Sequence, residues 1–92
     1  MATVIIPTPL RKFTNQNSRV NVTGNSVREA IDDLTLNFPD LKKNLLDENS
    51  NLRTFVNVFV GDEDIRDLQK ENTPLKTDSV ISIIPAIAGG TN

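Results

Sequence analysis

The sequence predicts an α+β fold, in which one main helix packs across a mixed sheet of four to five strands. Three observations predict it. The chain has 92 residues, fewer than the roughly 150 of an average domain. One amphipathic helix pattern lies before its middle, and β-branched runs lie on both sides of that helix. In so short a chain, strands that flank one helix are expected to share a sheet, and the helix then covers one face of it.

Two short strands open the chain. Residues 2–6 form a β-branched run that ends at a proline, and residues 19–23 alternate polar and apolar side chains. Together they predict a first hairpin. The connecting residues 8–18 contain too many turn-forming residues for a regular element, although we expect Leu10 and Phe13 to pack beneath the connection.

A helix is predicted to begin at Ser26. Glu29 follows three residues later and completes a capping box, in which the serine hydroxyl accepts a backbone N–H and the carboxylate reaches back to the cap. The apolar stripe that follows has helical spacing and consists of Val27, Ala30, Ile31, Leu34 and Phe38. Pro39 ends this helix. Residues 40–47 then predict a short second helix or 3₁₀ turn that covers the core with Leu41, Leu45 and Leu46.

Residues 55–60 give the clearest strand pattern, because β-branched and aromatic residues fill them and Gly61 follows. One face of this strand carries Val56, Val58 and Val60. The other face carries Phe55, Asn57 and Phe59, and the polar Asn57 indicates that this face is nearer water. In the opposite register the two phenylalanines would enter the core and the three valines would face out.

The remaining strands are short. We expect a brief strand around Ile65, a turn at residues 72–74 and a last strand at residues 79–85. The last strand is predicted to turn Ile81 and Ile83 toward the helix and Val80, Ser82 and Ile84 to the opposite face.

The rule of right-handed crossovers places the last strand between the first strand and residues 55–60, parallel to the first. This arrangement is a β-grasp, or ubiquitin-like, fold. We expect residues 1–85 to form the domain and residues 86–92 a flexible C-terminal tail.

Composition excludes much chemistry. The chain has no Cys and no His, which removes thiol nucleophiles, thiolate metal sites, disulfides and imidazole acid–base catalysis. Its formal net charge of −2 gives no reason to expect nucleic acid as a partner. No apolar stretch approaches the roughly 20 residues that cross a bilayer. We therefore expect a cytoplasmic chain that is not an enzyme, with no metal site, no stably bound cofactor and no contact with membranes.

The tail contains the candidate functional group. It reads Ala86-Ile87-Ala88-Gly89-Gly90-Thr91-Asn92 and bears no charged side chain. Glycine has no Cβ, so Gly89 and Gly90, preceded by the small Ala88, suit a backbone threaded through a narrow channel to an active site. A terminal Gly-Gly is by itself a weak signal, because glycines are common at chain ends.

Three further segments make the pattern specific. They are Phe55-Val56-Asn57-Val58-Phe59-Val60, then Asp62-Glu63-Asp64-Ile65-Arg66, then Ile84-Pro85-Ala86-Ile87-Ala88-Gly89-Gly90. With these segments the chain resembles the ThiS/MoaD family of ubiquitin-like sulfur carriers over nearly its whole length. Within that family it is most similar to the CysO-type carriers of cysteine biosynthesis.

The resemblance implies a substrate protein rather than a catalyst. An E1-like adenylyltransferase would use ATP and magnesium to adenylate the carboxylate of Gly90, which sulfur then converts to a thiocarboxylate. A cysteine synthase-like pyridoxal-phosphate enzyme would accept the sulfur. Because Thr91 and Asn92 follow Gly90, the resemblance also implies a JAMM-type zinc metalloprotease that first cleaves between Gly90 and Thr91.

Several interpretations remain open. Phe55, Phe59, Ile84 and Ile87 are predicted to form an apolar patch that partners bind, whereas phenylalanine in a strand more often belongs to the core. The acidic residues 62–64 fit a solvated turn better than a cation site. The alternatives to a carrier of cysteine biosynthesis are a molybdopterin-synthase small subunit, a protein modifier conjugated through Gly90 to lysines, and a binding module with an inert tail.

Overall fold

A computed structural model of the chain describes residues 2–49, 51–53 and 56–85. Within these residues the strands are β1 Ala2–Ile5, β2 Arg19–Val22, β3 Val56–Val60, β4 Glu63–Asp64 and β5 Val80–Pro85. The α-helices are α1 Val27–Asn37 and α2 Lys42–Leu45, and short 3₁₀ helices occupy Thr8–Phe13, Pro39–Leu41, Ile65–Asp67 and Lys70–Asn72.

The strands form one five-stranded sheet in the order β2-β1-β5-β3-β4. β5 runs parallel to β1 and antiparallel to β3, and the two outer pairs are also antiparallel. The sequence prediction of a β-grasp sheet with the last strand beside the first is therefore confirmed. The proposed tail, residues 86–92, lies outside the described residues.

One face of the sheet meets α1 across the hydrophobic core. Val56 and Val58 of β3 and Ile81 and Ile83 of β5 are buried on this face, as the alternation predicts. The helix α1 contributes the predicted apolar side chains to the core, and Phe38, which follows its last residue, is partly buried against the core. The opposite register of β3 is thus wrong, because it would put the valines in water.

The connection between β1 and β2 corrects the sequence prediction. Thr8–Phe13 is a 3₁₀ helix, where we expected no regular element. A proline near its start costs no hydrogen bond, because the first N–H groups of a helix have no partner within it. Leu10 is buried and Phe13 packs on the core, as expected. The buried Thr14 hydroxyl donates to the carbonyls of Arg11 and Asn17, which fixes the turn that follows.

The predicted cap of α1 by the Ser26 hydroxyl is confirmed, but the carboxylate of Glu29 accepts from a different backbone N–H from the one predicted. Ser26 Oγ accepts from Glu29 N at 3.3 Å, but Glu29 Oε1 accepts from Asn25 N at 2.8 Å, one residue before the cap. Backbone bonds from Val27 N to Thr73 O and from Leu75 N to Asn25 O fix the chain that enters the helix.

The fourth strand lies earlier than predicted. It comprises Glu63–Asp64, and Ile65 already begins a 3₁₀ helix whose first turn is capped by Asp64. Asp64 Oδ1 accepts from Arg66 N at 2.9 Å, so a side-chain bond replaces further pairing with β3. Ile65 is buried, as a core-facing strand residue would be, which explains why the sequence predicted a strand around it.

The region from Leu41 to Leu46 agrees with its prediction. A 3₁₀ turn, Pro39–Leu41, continues into α2, and Leu41, Leu45 and Leu46 are all buried. Across the described stretches of the chain, no helix has both the length and the apolar character needed to span a bilayer.

Candidate functional site

The last strand occupies the centre of the sheet and leads directly to the tail. β5 is hydrogen-bonded to β1 on one side and to β3 on the other, and Pro85 pairs with Val56 at the start of β3. Two neighbours therefore hold the strand that precedes the tail. Ala88, Gly89, Gly90 and Thr91, for which we predict threading, activation and processing, lie outside the described residues.

The sheet face opposite α1 carries an exposed apolar patch beside this strand. We define the outer-face patch as Phe59, Val80 and Ile84. Ile84 is 50% exposed and Val80 is 39% exposed, while Phe59 is half-buried. Phe59 pairs with Ser82, a small residue between the two apolar residues of β5.

Sequence reasoning predicted Phe59 and Ile84 in such a patch, and the structure places both on this face. Their role in partner binding stays a prediction. Phe55 and Ile87, the other two predicted members, lie outside the described residues.

A polar contact borders the outer-face patch. Asn57, the strand partner of Ile84, accepts a hydrogen bond at its Oδ1 from Arg66 Nη2. Arg66 thereby links the 3₁₀ helix after β4 to the outer face of β3. Sequence reasoning did not single out Arg66 as a site residue, although the arginine that closes the Asp62-to-Arg66 motif was a visible signal.

The acidic segment after β3 is a turn rather than a ligand set. Gly61 adopts a φ of +62°, which suits glycine, and Asp62 and Glu63 are exposed. Asp64 is engaged as the cap described above. In the part of the chain that the structure describes, no group of three or more potential metal-ligating side chains comes together.

The fold and the exposed face beside the last strand define a ubiquitin-like β-grasp protein. The model of the ThiS family matches residues 4–90. The sulfur carrier protein CysO of Mycobacterium tuberculosis is 37% identical over 90 residues, which cover 96% of this chain and 97% of that protein. The chain therefore belongs to the ThiS family.

Solved structures give the same relationship. In the BexX/CysO complex of Amycolatopsis orientalis, the matched chain is 38% identical and superposes with a TM-score of 0.89 over 98% of this chain and 100% of that one. The small archaeal modifier protein 1 of Methanosarcina acetivorans is 27% identical, with a TM-score of 0.85 over 97% of this chain and 95% of that one.

Proposed function

We propose that this chain is a sulfur carrier protein that serves cysteine biosynthesis. The observation that supports it most is similarity over almost the whole chain to a protein named as a sulfur carrier. The absence of Cys and His from the sequence agrees with a carrier whose reactive group is a main-chain carboxyl. The catalytic groups then belong to its partner enzymes.

The reactive group we propose is the carboxylate of Gly90. A carboxylate is a poor electrophile, so an E1-like adenylyltransferase first joins one of its oxygens to the α-phosphorus of ATP, with magnesium, and pyrophosphate leaves. A sulfide-equivalent nucleophile then attacks the acyl carbon, AMP leaves and a thiocarboxylate remains. Gly89 and Gly90 have no Cβ, which allows the backbone to pass close to the walls of the enzyme channel.

Activation requires that Thr91 and Asn92 be removed. While Thr91 is attached, the carbonyl of Gly90 belongs to an amide and offers no carboxylate. We assign the cleavage to a JAMM-type zinc metalloprotease. The chain is therefore latent until this peptide bond is hydrolysed.

The outer-face patch is the docking surface in this proposal. It lies on β5, the strand that leads to the tail, and on the neighbouring β3, so an enzyme that holds the patch also brings Gly90 within reach of its active site. Binding to the patch offsets the conformational entropy that the tail loses when it is threaded. A cysteine synthase-like pyridoxal-phosphate enzyme would use the same surface when it accepts the sulfur.

The experiment compares two chains, one that ends at Gly90 and one that retains Thr91 and Asn92. Each is incubated with the purified E1-like enzyme of the same organism, Mg-ATP and a sulfide source. We expect pyrophosphate release, and the mass change of an oxygen-to-sulfur exchange, only from the chain that ends at Gly90. If that chain releases no pyrophosphate, or if the untrimmed chain reacts equally well, the proposal is wrong.

A second candidate function is protein modification through Gly90. The likeness to an archaeal small modifier protein favours it. Activation would be the same, but the acyl group would pass to a lysine amine of a target. Peptides from the source organism that carry a remnant of this tail on lysine would support this function, and their absence from cells with active carrier would contradict it.

A further inference from the structure

A second concave surface lies on the helix side of β3, across the strand from the outer-face patch. It is a groove with a volume of about 400 Å³. The groove has an apolar floor of Val56, Val58 and Ile65, all buried, and the half-buried Leu52 forms one wall. An apolar side chain of a partner that packs on this floor is removed from water, which favours binding.

The rim of this groove is cationic. Among the described residues, Arg53, Arg66 and Lys70 line it together with one acidic residue, Glu71. Arg53 Nε donates to Lys43 O at 2.9 Å and Arg66 donates to Asn57 Oδ1, so hydrogen bonds hold both guanidinium groups in place at the rim. The Glu71 carboxylate is already engaged, because it forms an ion pair with Arg28 and accepts a hydrogen bond from Leu52 N at 3.0 Å. The rim therefore presents positive charge on a chain whose formal net charge is −2.

The turn that carries Lys70 is held in an unfavourable conformation. Lys70 has a φ of +54°, a region that favours glycine over a side chain with a Cβ. Both the N–H and the hydroxyl of Thr73 donate to the carbonyl of Lys70, at 3.1 and 2.6 Å, and fix this turn. This fixed turn holds the backbone of Lys70 beside the groove, so its exposed side chain starts from a defined position at the rim.

The groove lies on the face of β3 opposite the outer-face patch, at the end of the strand from which the tail leaves. Arg66 lines the groove and also donates to Asn57 on the outer face. Val56, in the floor, pairs with Pro85, the last described residue before the tail. An enzyme that receives the tail therefore meets this end of the groove.

We infer that the activating enzyme binds the carrier at two places, the outer-face patch and this groove, and that the groove takes an acidic segment with at least one apolar side chain. The apolar side chain packs on the Val56, Val58 and Ile65 floor. The carboxylates of this segment face the cations of the rim. This contact fixes the orientation of the carrier relative to the enzyme that receives its tail. This inference rests on the proposed function.

Charge reversal at Lys70 tests the inference. The side chain is exposed, so Lys70→Glu leaves the core intact. With the trimmed carrier, the E1-like enzyme and Mg-ATP, we expect the KM for the carrier to rise about tenfold while kcat stays unchanged, because a rim ion pair becomes a repulsion. Lys70→Gln should fall between wild type and Lys70→Glu, and the difference between wild type and Lys70→Glu should shrink as salt is raised.

Lys12→Glu is the matched control. It makes the same change in net charge at an exposed lysine that lines neither the groove nor the surface around Val80. We expect its KM to equal that of wild type. Equal KM values for Lys70→Glu and wild type, or equal increases for Lys70→Glu and Lys12→Glu, would overturn the inference alone. No pyrophosphate release from wild-type trimmed carrier would overturn the proposed function and the inference with it.

Discussion

Substitution of two isoleucines of β5 allows the contribution of this strand to stability and its contribution to docking to be measured separately. Ile81 faces the core and is 0% exposed, whereas Ile84 faces outward and is 50% exposed. Replacement of either residue by alanine removes the same three carbon atoms from the same strand. Any difference between the two variants therefore comes from the face on which the side chain lies.

The structure sets the expected magnitudes. A buried methylene is worth about 0.8 kcal/mol, so Ile81→Ala loses about 2.4 kcal/mol of transfer free energy, and the cavity raises the total cost to about 3–5 kcal/mol. Ile84→Ala loses about half the transfer free energy, or about 1.2 kcal/mol, because Ile84 is half exposed. If an enzyme covers the exposed half, the loss in binding is also about 1.2 kcal/mol, or about eightfold in KM.

Urea unfolding and the pyrophosphate-release assay measure the two effects. We expect Ile81→Ala to lower the unfolding midpoint strongly with little change in KM under conditions where it is folded. Ile84→Ala should lower the midpoint much less, by the equivalent of about 1.2 kcal/mol, and should raise KM about eightfold. A normal KM for Ile84→Ala would refute the assignment of the outer-face patch as a docking surface, and equal stability losses would refute the packing argument.

Three further substitutions test local contacts elsewhere in the fold. Ser26→Ala should lower the free energy of unfolding by about 1 kcal/mol, because α1 loses its cap, and an unchanged urea midpoint would contradict this. Glu71→Ala should cost about 1–3 kcal/mol, since Leu52 N loses its acceptor, and it should speed hydrogen exchange at that amide; unchanged exchange would argue against the contact. Gly24→Ala should cost about 1–3 kcal/mol by thermal unfolding, because its φ is +148° and the added Cβ would lie 2.8 Å from Ala30 N; a more stable variant would show that the turn adapts.

Much of the fold could be predicted because its signals are local. The alternation in β5 determined which side chains enter the core, and the helical spacing after Ser26 determined the buried stripe of α1. The order of the strands followed from the handedness of crossovers. The placement of Phe59 and Ile84 on the face opposite α1 followed from the same alternation.

The features that could not be predicted depend on contacts between different elements of the fold. Residues 8–18 contain turn-forming residues, yet Thr8–Phe13 becomes a 3₁₀ helix because Leu10 is anchored in the core. The groove is lined by four short stretches, residues 52–53, 56–58, 65–66 and 70–71, of which only the one in β3 has a periodic pattern. The bond from Arg66 to Asn57 joins two elements, and no helix or strand spacing predicts it.

The central position of β5 has a mechanical consequence. Force applied to the tail by an enzyme runs along this strand and must shear its hydrogen-bond ladders with β1 and β3 together, rather than peel an edge strand away one bond at a time. The domain should therefore resist a pull on its carboxyl end better than it would if β5 lay at the edge of the sheet.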